Sequence, residues 1–330
     1  MHGGMRASPI PNGAPPSSAS PMTDDDRPMT DDPSSFSYAP VAIVGAGAVG
    51  SALGRRLVGR DVPVCAVINR HREKAETLAR RLGADVAGTD PGDVPDTAGT
   101  VFLCVPDDAI ASAARALASG ERTWAGTLVA HTSGARTASL LAPAANAGGL
   151  AMSFHPMQTF TPQTPPEAFE DIVIGIEGDP AAVASGRRLA EILGARPIAL
   201  SAEDKTRYHC AAALASNGLV ALMGAVRDVL ASASIDADDA DAILKPLVSQ
   251  TWQNLQDTSP EAALTGPAAR NDRGTIRSHL DALAETTPSL TPLYAVLTAE
   301  MTRIAERGGH LEADAAEELR TLLRRHADPG

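Results

Sequence analysis

Gly45-Ala46-Gly47-Ala48-Val49-Gly50 sets three glycines at the spacing GxGxxG. An apolar run, Val41-Ala42-Ile43-Val44, precedes it, and a stretch with helical periodicity, Ala48–Val58, follows. Between a strand and a helix each glycine has a physical task. Gly45 permits a tight turn, Gly47 lets the backbone approach a pyrophosphate, and Gly50 lets helix and strand pack closely. The N–H groups of Ala48 and Val49 and the positive end of the helix dipole then face the phosphates. The chemistry expected here is dinucleotide binding; the plainer alternative is a glycine turn with no ligand.

The next apolar run, Val64–Ile68, ends in Asn69-Arg70-His71-Arg72. Dinucleotide domains that prefer NAD place a carboxylate at this strand end to hold the ribose hydroxyls. Here Asn69 replaces it, and Arg70 and Arg72 offer guanidinium groups to a 2′-phosphate. NADP is therefore the expected cofactor, ahead of NAD. The alternative is two solvated charges at a helix start.

Three later strand ends also carry candidate groups, because ligands of open α/β sheets bind beyond the carboxyl ends of the strands. Val105-Pro106 would lie beside the cofactor, with Asp107 or Asp108 expected to cap the following helix. In His131-Thr132-Ser133-Gly134, Thr132 and Ser133 would face the nicotinamide and a substrate oxygen, or simply stabilise a turn. His155-Pro156 ends another strand. A histidine held there titrates near working pH and is a candidate acid or base, or a packing residue bonded to backbone.

The remaining candidates fall in the C-terminal part. Ser201-Ala202-Glu203-Asp204 reads as a capping box opening a long helix. Lys205, His209 and Asn217 recur along it at multiples of four, among small apolar residues. Polar groups on such a face need partners, which a polar ligand or an interhelical hydrogen-bond network would supply. Arg270, in the loop Gly266-Pro267-Ala268-Ala269-Arg270-Asn271-Asp272, could clamp a carboxylate or phosphate or pair with Asp272. His279 follows one turn after Thr275. The catalytic candidates are thus His155, Lys205, Ser133, His209 and Asn217. The substrate-binding candidates are Thr132, Arg270 and His279, a set suited to a small anionic substrate.

The elements that must position these groups alternate as strand and helix from Pro40 to about 200, then become wholly helical. The expected fold is α/β: a doubly wound, mostly parallel Rossmann sheet followed by an all-α domain. The expected boundaries are a disordered tail over 1–38, a nucleotide domain over 39–200 and a helical substrate and dimerisation domain over 201–330. The tail is rich in Pro, Ser, Asp and Gly, and lacks the basic start and apolar run of a signal peptide. Met22 and Met29 offer later start codons. The 330-residue chain has a net charge of −12, which disfavours nucleic acid and anionic membrane as partners. Cys65, Cys104 and Cys210 lie in apolar runs without metal-ligand spacing, so buried reduced thiols, no metal and a cytoplasmic setting are expected. The run Cys210–Val226, interrupted by Ser216 and Asn217, reads as a buried helix rather than a membrane span.

Taken together, GAGAVG, VPDDAI, HTSGA, SFHPMQTF, YHCAAALASN and LTGPAARND resemble a bacterial family of Rossmann-like proteins whose helical C-terminal half is a domain of unknown function. The resemblance covers nearly all of 41–325. More broadly the chain is similar to pyrroline-5-carboxylate reductase, deazaflavin-dependent NADP oxidoreductases, prephenate dehydrogenase, and 6-phosphogluconate and other β-hydroxyacid dehydrogenases. That likeness implies an NADP-dependent oxidoreductase. It implies reaction roles for Ser133 and His155-Pro156, as in prephenate dehydrogenases, and substrate contacts for Lys205 and Asn217, as in β-hydroxyacid dehydrogenases. In the latter the Lys and Asn stand four apart, whereas here they stand twelve apart. The likeness also implies a homodimer formed through the helical half. A non-catalytic NADP-binding sensor would share the same fingerprint.

Overall fold

The computed structural model describes residues 39–120 and 122–327; the tail expected to be disordered lies outside them. The described residues divide into two compact units that meet at Leu200 and Ser201.

In the first unit the elements run β1 (Val41–Val44), α1 (Ala48–Val58), β2 (Val64–Ile68), α2 (Arg72–Leu82), β3 (Val86–Gly88), β4 (Thr100–Leu103), α3 (Asp107–Ala118), β5 (Leu128–His131), α4 (Ala142–Asn146), β6 (Leu150–Pro156), β7 (Val173–Gly178), α5 (Pro180–Ile192) and β8 (Arg196–Ala199). They form one eight-stranded sheet in the order β3-β2-β1-β4-β5-β6-β7-β8. Every neighbouring pair is parallel except β6 and β7, which run antiparallel with His155 opposite Gly175. The edge strand β3 escapes a reading of the sequence, because three residues are too few to show a period.

Alternation along the strands divides the core between two faces. Val41 and Ile43 of β1 point into one cluster with Leu53, Leu57, Phe102 and Phe154. Ala42 and Val44 point into the other with Val101, Leu103, Ile110 and Leu117. Apolar residues on both faces are what a sheet covered by helices on two sides requires. On the first face α1 is tied to the segment beyond β6. Arg56 is buried, its Nε donates to the Leu193 carbonyl at 2.9 Å, and its Nη2 meets Glu170 at the same distance.

The second unit runs α6 (Asp204–Ala213), a π-helical turn (Leu214–Gly218), α7 (Leu219–Ser232), α8 (Ala237–Asp257), α9 (Pro260–Ala263), α10 (Arg273–Thr286), α11 (Thr291–Arg307) and α12 (Ala313–Ala327). Ile276 and Leu280 of α10, Ala295 and Ala305 of α11, and Leu319 and Leu323 of α12 form its core.

Two expectations fail here. The helix holding Cys210–Val226 is exposed rather than buried: Leu214 and Val220 are 70% and 72% accessible. It is also longer than the apolar run, 29 residues over Asp204–Ser232, which is enough by length and composition to cross a membrane. Cys210 is correspondingly exposed, against the expectation of a buried thiol. Hydropathy records that a surface favours cover; it does not record which surface supplies it.

Candidate functional site

The sheet order reverses between β1 and β4, and the crevice opens at their carboxyl ends. Register places Val44 beside both Leu103 and Ile68, so Gly45, Cys104 and Asn69 emerge together. A cavity of about 920 Å³ lies there, lined among others by Gly45, Gly47, Asn69, Arg70, Val105 and Pro106.

Each glycine of the turn is required for a different reason. Gly45 has a φ of +114°, and a Cβ on it would lie 2.2 Å from the Cys104 carbonyl oxygen. A Cβ on Gly50 would lie 2.0 Å from the Gly45 oxygen. Gly47 differs: its Cβ would meet nothing within 4 Å. Steric demands of the protein explain Gly45 and Gly50, while the room at Gly47 is the approach a phosphate needs. No side chain caps α1. The early N–H groups, including those of Ala48 and Val49, are therefore left to an anion.

Asn69 braces this turn. Its Oδ1 accepts from the Ala46 N–H at 3.2 Å, and its Nδ2 donates to the His71 carbonyl at 3.1 Å. Beyond it Arg70, His71 and Lys74 line the cavity. Lys74 stands in the first turn of α2, which starts at Arg72, so its nearness to the end of β2 was the signal that would have revealed it. Arg72 does not join them. It pairs with Glu76 at 3.8 Å along α2, both side chains well exposed.

At the β4 end the expected carboxylate cap is absent. Pro106 is the N-cap of α3, and Asp107 and Asp108 stand in its first turn. Asp107 faces Arg136 at 3.7 Å instead. Proline at the cap leaves no hydroxyl or carboxylate to close the turn, so the acidic residues act on the helix dipole. Behind the turn, burial pushes the Cys104 thiol up to about 12, with Thr132 bonded to it and lowering it slightly. Cys104 is therefore an uncharged wall of the crevice.

At the end of β5, His131 is fully buried and fixes the following loop. Its Nδ1 accepts from the Ser133 N–H at 3.2 Å, and its Nε2 contacts the Thr137 carbonyl at 3.0 Å. Both bonds are satisfied by the neutral ring with its proton on Nε2. Ser133 is buried as well: its Oγ accepts from the Arg136 N–H at 3.1 Å, and its carbonyl accepts from Ser153 Oγ at 3.1 Å. The hydroxyl thus stabilises the turn. Glu177, also buried, accepts the Ala138 N–H at 2.8 Å. His155 stands half-buried one residue before the end of β6.

In the helical unit Lys205 is fully buried, His209 half-buried and Asn217 exposed. The π turn adds one residue to the helix, so Asn217 trails Lys205 by eleven regular steps, about 20° around the axis rather than about 120°. Asp272 caps α10, accepting from the Thr275 N–H at 3.0 Å and Thr275 Oγ at 2.8 Å. These bonds, then the charges of exposed Arg270 and of His279, hold its carboxyl below the usual range. His279 Nδ1 lies 2.8 Å from the Tyr294 hydroxyl, a partner the sequence did not single out. Among the described residues no cluster of three or more His, Cys, Asp or Glu could hold a metal ion.

Sheet order, crevice and glycine turn define a Rossmann-type domain joined to a helical unit. The chain matches the Rossmann-like domain family over residues 26–156 and the domain of unknown function DUF2520 over residues 172–301. No curated protein matches the sequence. Among solved structures it is similar to the Bacteroides fragilis protein BF3122, provisionally assigned as an NADP oxidoreductase. Identity is 25% and the TM-score 0.68, over 82% of this chain and 100% of that one. It is also similar to protein TM1727 of Thermotoga maritima, with 23% identity and a TM-score of 0.63 over 81% and 99% of the two chains. An imine reductase of Myxococcus stipitatus in complex with NADP+ shares the fold at 18% identity and a TM-score of 0.59, over 88% and 100%.

Proposed function

We propose that the chain is an NADP-dependent oxidoreductase acting on a small substrate with a C=O, C=N or CH–OH group. The observation that carries this reading is the glycine turn. Its one sterically unexplained glycine, Gly47, borders open space, and Arg70, His71 and Lys74 line the same cavity. The provisional assignment of the Bacteroides fragilis protein supports the same class.

The crevice residues fit NADP. Gly47 and the start of α1 would receive the pyrophosphate, Arg70 with Lys74 the 2′-phosphate, and Val105-Pro106 would border the nucleotide. When bound, the nicotinamide supplies the hydride chemistry. The chain's own part is to bind, orient and manage a proton. His155 is the first candidate acid or base and Lys205 the second. Thr132, His209 and Asn217 are candidates for substrate polar groups, and Arg270 for an anionic one. Ser133 serves through the turn it holds.

A non-catalytic NADP sensor is the second reading, favoured by one observation: the Ser133 hydroxyl is already engaged in its own loop. Titration with NADPH and NADH separates the outcomes. We expect NADPH to quench protein fluorescence and raise Tm at concentrations at least ~10-fold lower than NADH, since 2′-phosphate contacts are charge-assisted. No response to either nucleotide would refute both readings. Binding followed by NADPH oxidation with carbonyls, alone or with amines, identifies the enzyme. Binding without turnover across such a panel identifies the sensor.

The same reading takes the protein as a cytoplasmic homodimer. The support for the dimer is the apolar surface of the helical unit, where Leu214, Val220, Leu247 and Trp252 are at least 60% exposed. Light scattering on the purified chain should give twice the 34.0 kDa chain mass; a monomer mass at micromolar concentration would sink this part.

A further inference from the structure

α7, α10 and α11 line an open cavity of about 550 Å³, and of the candidate site residues above only His279 borders it. Its size falls within the ~300–1,000 Å³ of small-molecule sites. Ala225 and Val226 of α7 and Leu283 of α10 contribute to a lining that is almost wholly apolar. This is a concavity rather than a bare face. Among the described residues, the apolar side chains most exposed in the helical unit, such as Val220 and Trp252, do not line it, and of the exposed group only Leu293 does.

Its polar groups are few. The Ser232 hydroxyl donates to the Val229 carbonyl at 2.7 Å, with Thr286 Oγ1 3.5 Å away, and the Thr286 hydroxyl donates to the Ala282 carbonyl at 2.8 Å, so neither has a proton for a ligand and both can only accept. What remains is the Tyr294–His279 pair, 2.8 Å apart with the rings edge to face. With His279 Nδ1 as donor, the phenol O–H can donate to a ligand carbonyl or hydroxyl; with Tyr294 as donor, its oxygen can accept from a ligand hydroxyl. Burial also pushes the Tyr294 hydroxyl above its ordinary value, so it stays protonated at neutral pH. No Lys or Arg lines the cavity.

We propose that this cavity binds a small neutral molecule, a hydrocarbon body with one carbonyl or hydroxyl head that hydrogen-bonds the Tyr294–His279 pair. An anionic ligand would find no lysine or arginine to replace its water. The site goes beyond the nucleotide reading and stands within the helical unit whether or not NADP binds.

Saturation-transfer NMR on the full chain, without nucleotide, tests it using cyclohexanone, cyclohexanol and cyclohexanecarboxylate. The ketone and alcohol should bind, and the carboxylate at least ~10-fold more weakly. Ala225→Trp should fill the space and abolish binding with helix content unchanged. Tyr294→Phe, which keeps the shape, should weaken ketone binding about 5-fold, the worth of one neutral hydrogen bond. Should the tryptophan variant fail to fold, the phenylalanine variant decides alone. Absence of binding to the wild type, equal binding of all three probes, or ketone binding indifferent to Tyr294→Phe overturns the proposal. So does an Ala225→Trp variant that loses binding together with a change in oligomeric mass, because a second copy would then occupy the cavity.

Discussion

Gly50→Ala should destroy the nucleotide domain, whereas Gly47→Ala should leave it folded and unable to bind NADPH. The two residues stand three apart in one motif, and the structure separates their roles. At Gly50 the new methyl would sit 2.0 Å from the Gly45 carbonyl oxygen and 3.1 Å from the Cys104 Cβ. Backbone on the first side cannot swing away as a flexible side chain could, so α1 must leave β1 or the turn must open. Overpacking of this kind costs about 3 kcal/mol or more. At Gly47 the methyl meets nothing within 4 Å. The residue is the N-cap of α1 with a φ of −80°, which alanine adopts. Stability should therefore change by no more than about 1 kcal/mol, from opposing cap and chain-entropy effects. The methyl would occupy the approach of the pyrophosphate, and NADPH affinity should fall at least ~100-fold. Thermal denaturation and calorimetric titration of both variants read the result. If Gly47→Ala binds NADPH as tightly as the wild type, the crevice is not the nucleotide site.

Cofactor preference should move with Arg70 and not with Arg72. Arg70 lines the crevice beside His71 and Lys74. Arg72 is paired along the helix with Glu76. Arg70→Asp removes a charge-assisted contact to the 2′-phosphate and adds a repulsive carboxylate, together worth about 3 kcal/mol, so the Kd for NADPH should rise ~100-fold. NADH affinity should hold or improve, because an acidic group at this strand end suits ribose hydroxyls. Arg72→Asp should alter NADPH binding less than ~3-fold, the scale of an exposed ion pair. Lys74→Ala should fall between the two. Equal losses for both arginine variants would mean that overall charge, rather than a built 2′-phosphate site, governs binding.

Much of the nucleotide domain was legible because its signals are local. A glycine fingerprint, apolar runs of four or five residues and intervening helical periods are written within short windows. Gly45, Gly47, Gly50, Asn69 and Arg70 therefore fall where their spacing indicates. What such windows leave open shares a cause. Arg72 and Lys74 are both basic and near the strand end, and only the path of α2 turns one along the helix and the other toward the cavity. Asp107 and Asp108 read as caps by residue type, yet Pro106 occupies the cap. Ser133 reads either as a hydroxyl facing the substrate or as a turn residue, and only the folded loop brings the Arg136 amide to its Oγ.

In the helical unit the division is sharper. The sequence by itself determines that 204–232 is helical and apolar, because periodicity and composition are properties of the window. It does not determine that the face is exposed, that a π turn re-phases Asn217, or that His279 meets Tyr294 fifteen residues away. Those facts depend on which helices pack against which, and pairing between distant segments leaves no mark in either segment alone. The two nucleotide-motif glycines differ in the same way. GxGxxG states that small residues are needed at Gly47 and Gly50. Only the packed structure shows that Gly50 makes room for the protein's own backbone while Gly47 borders open space.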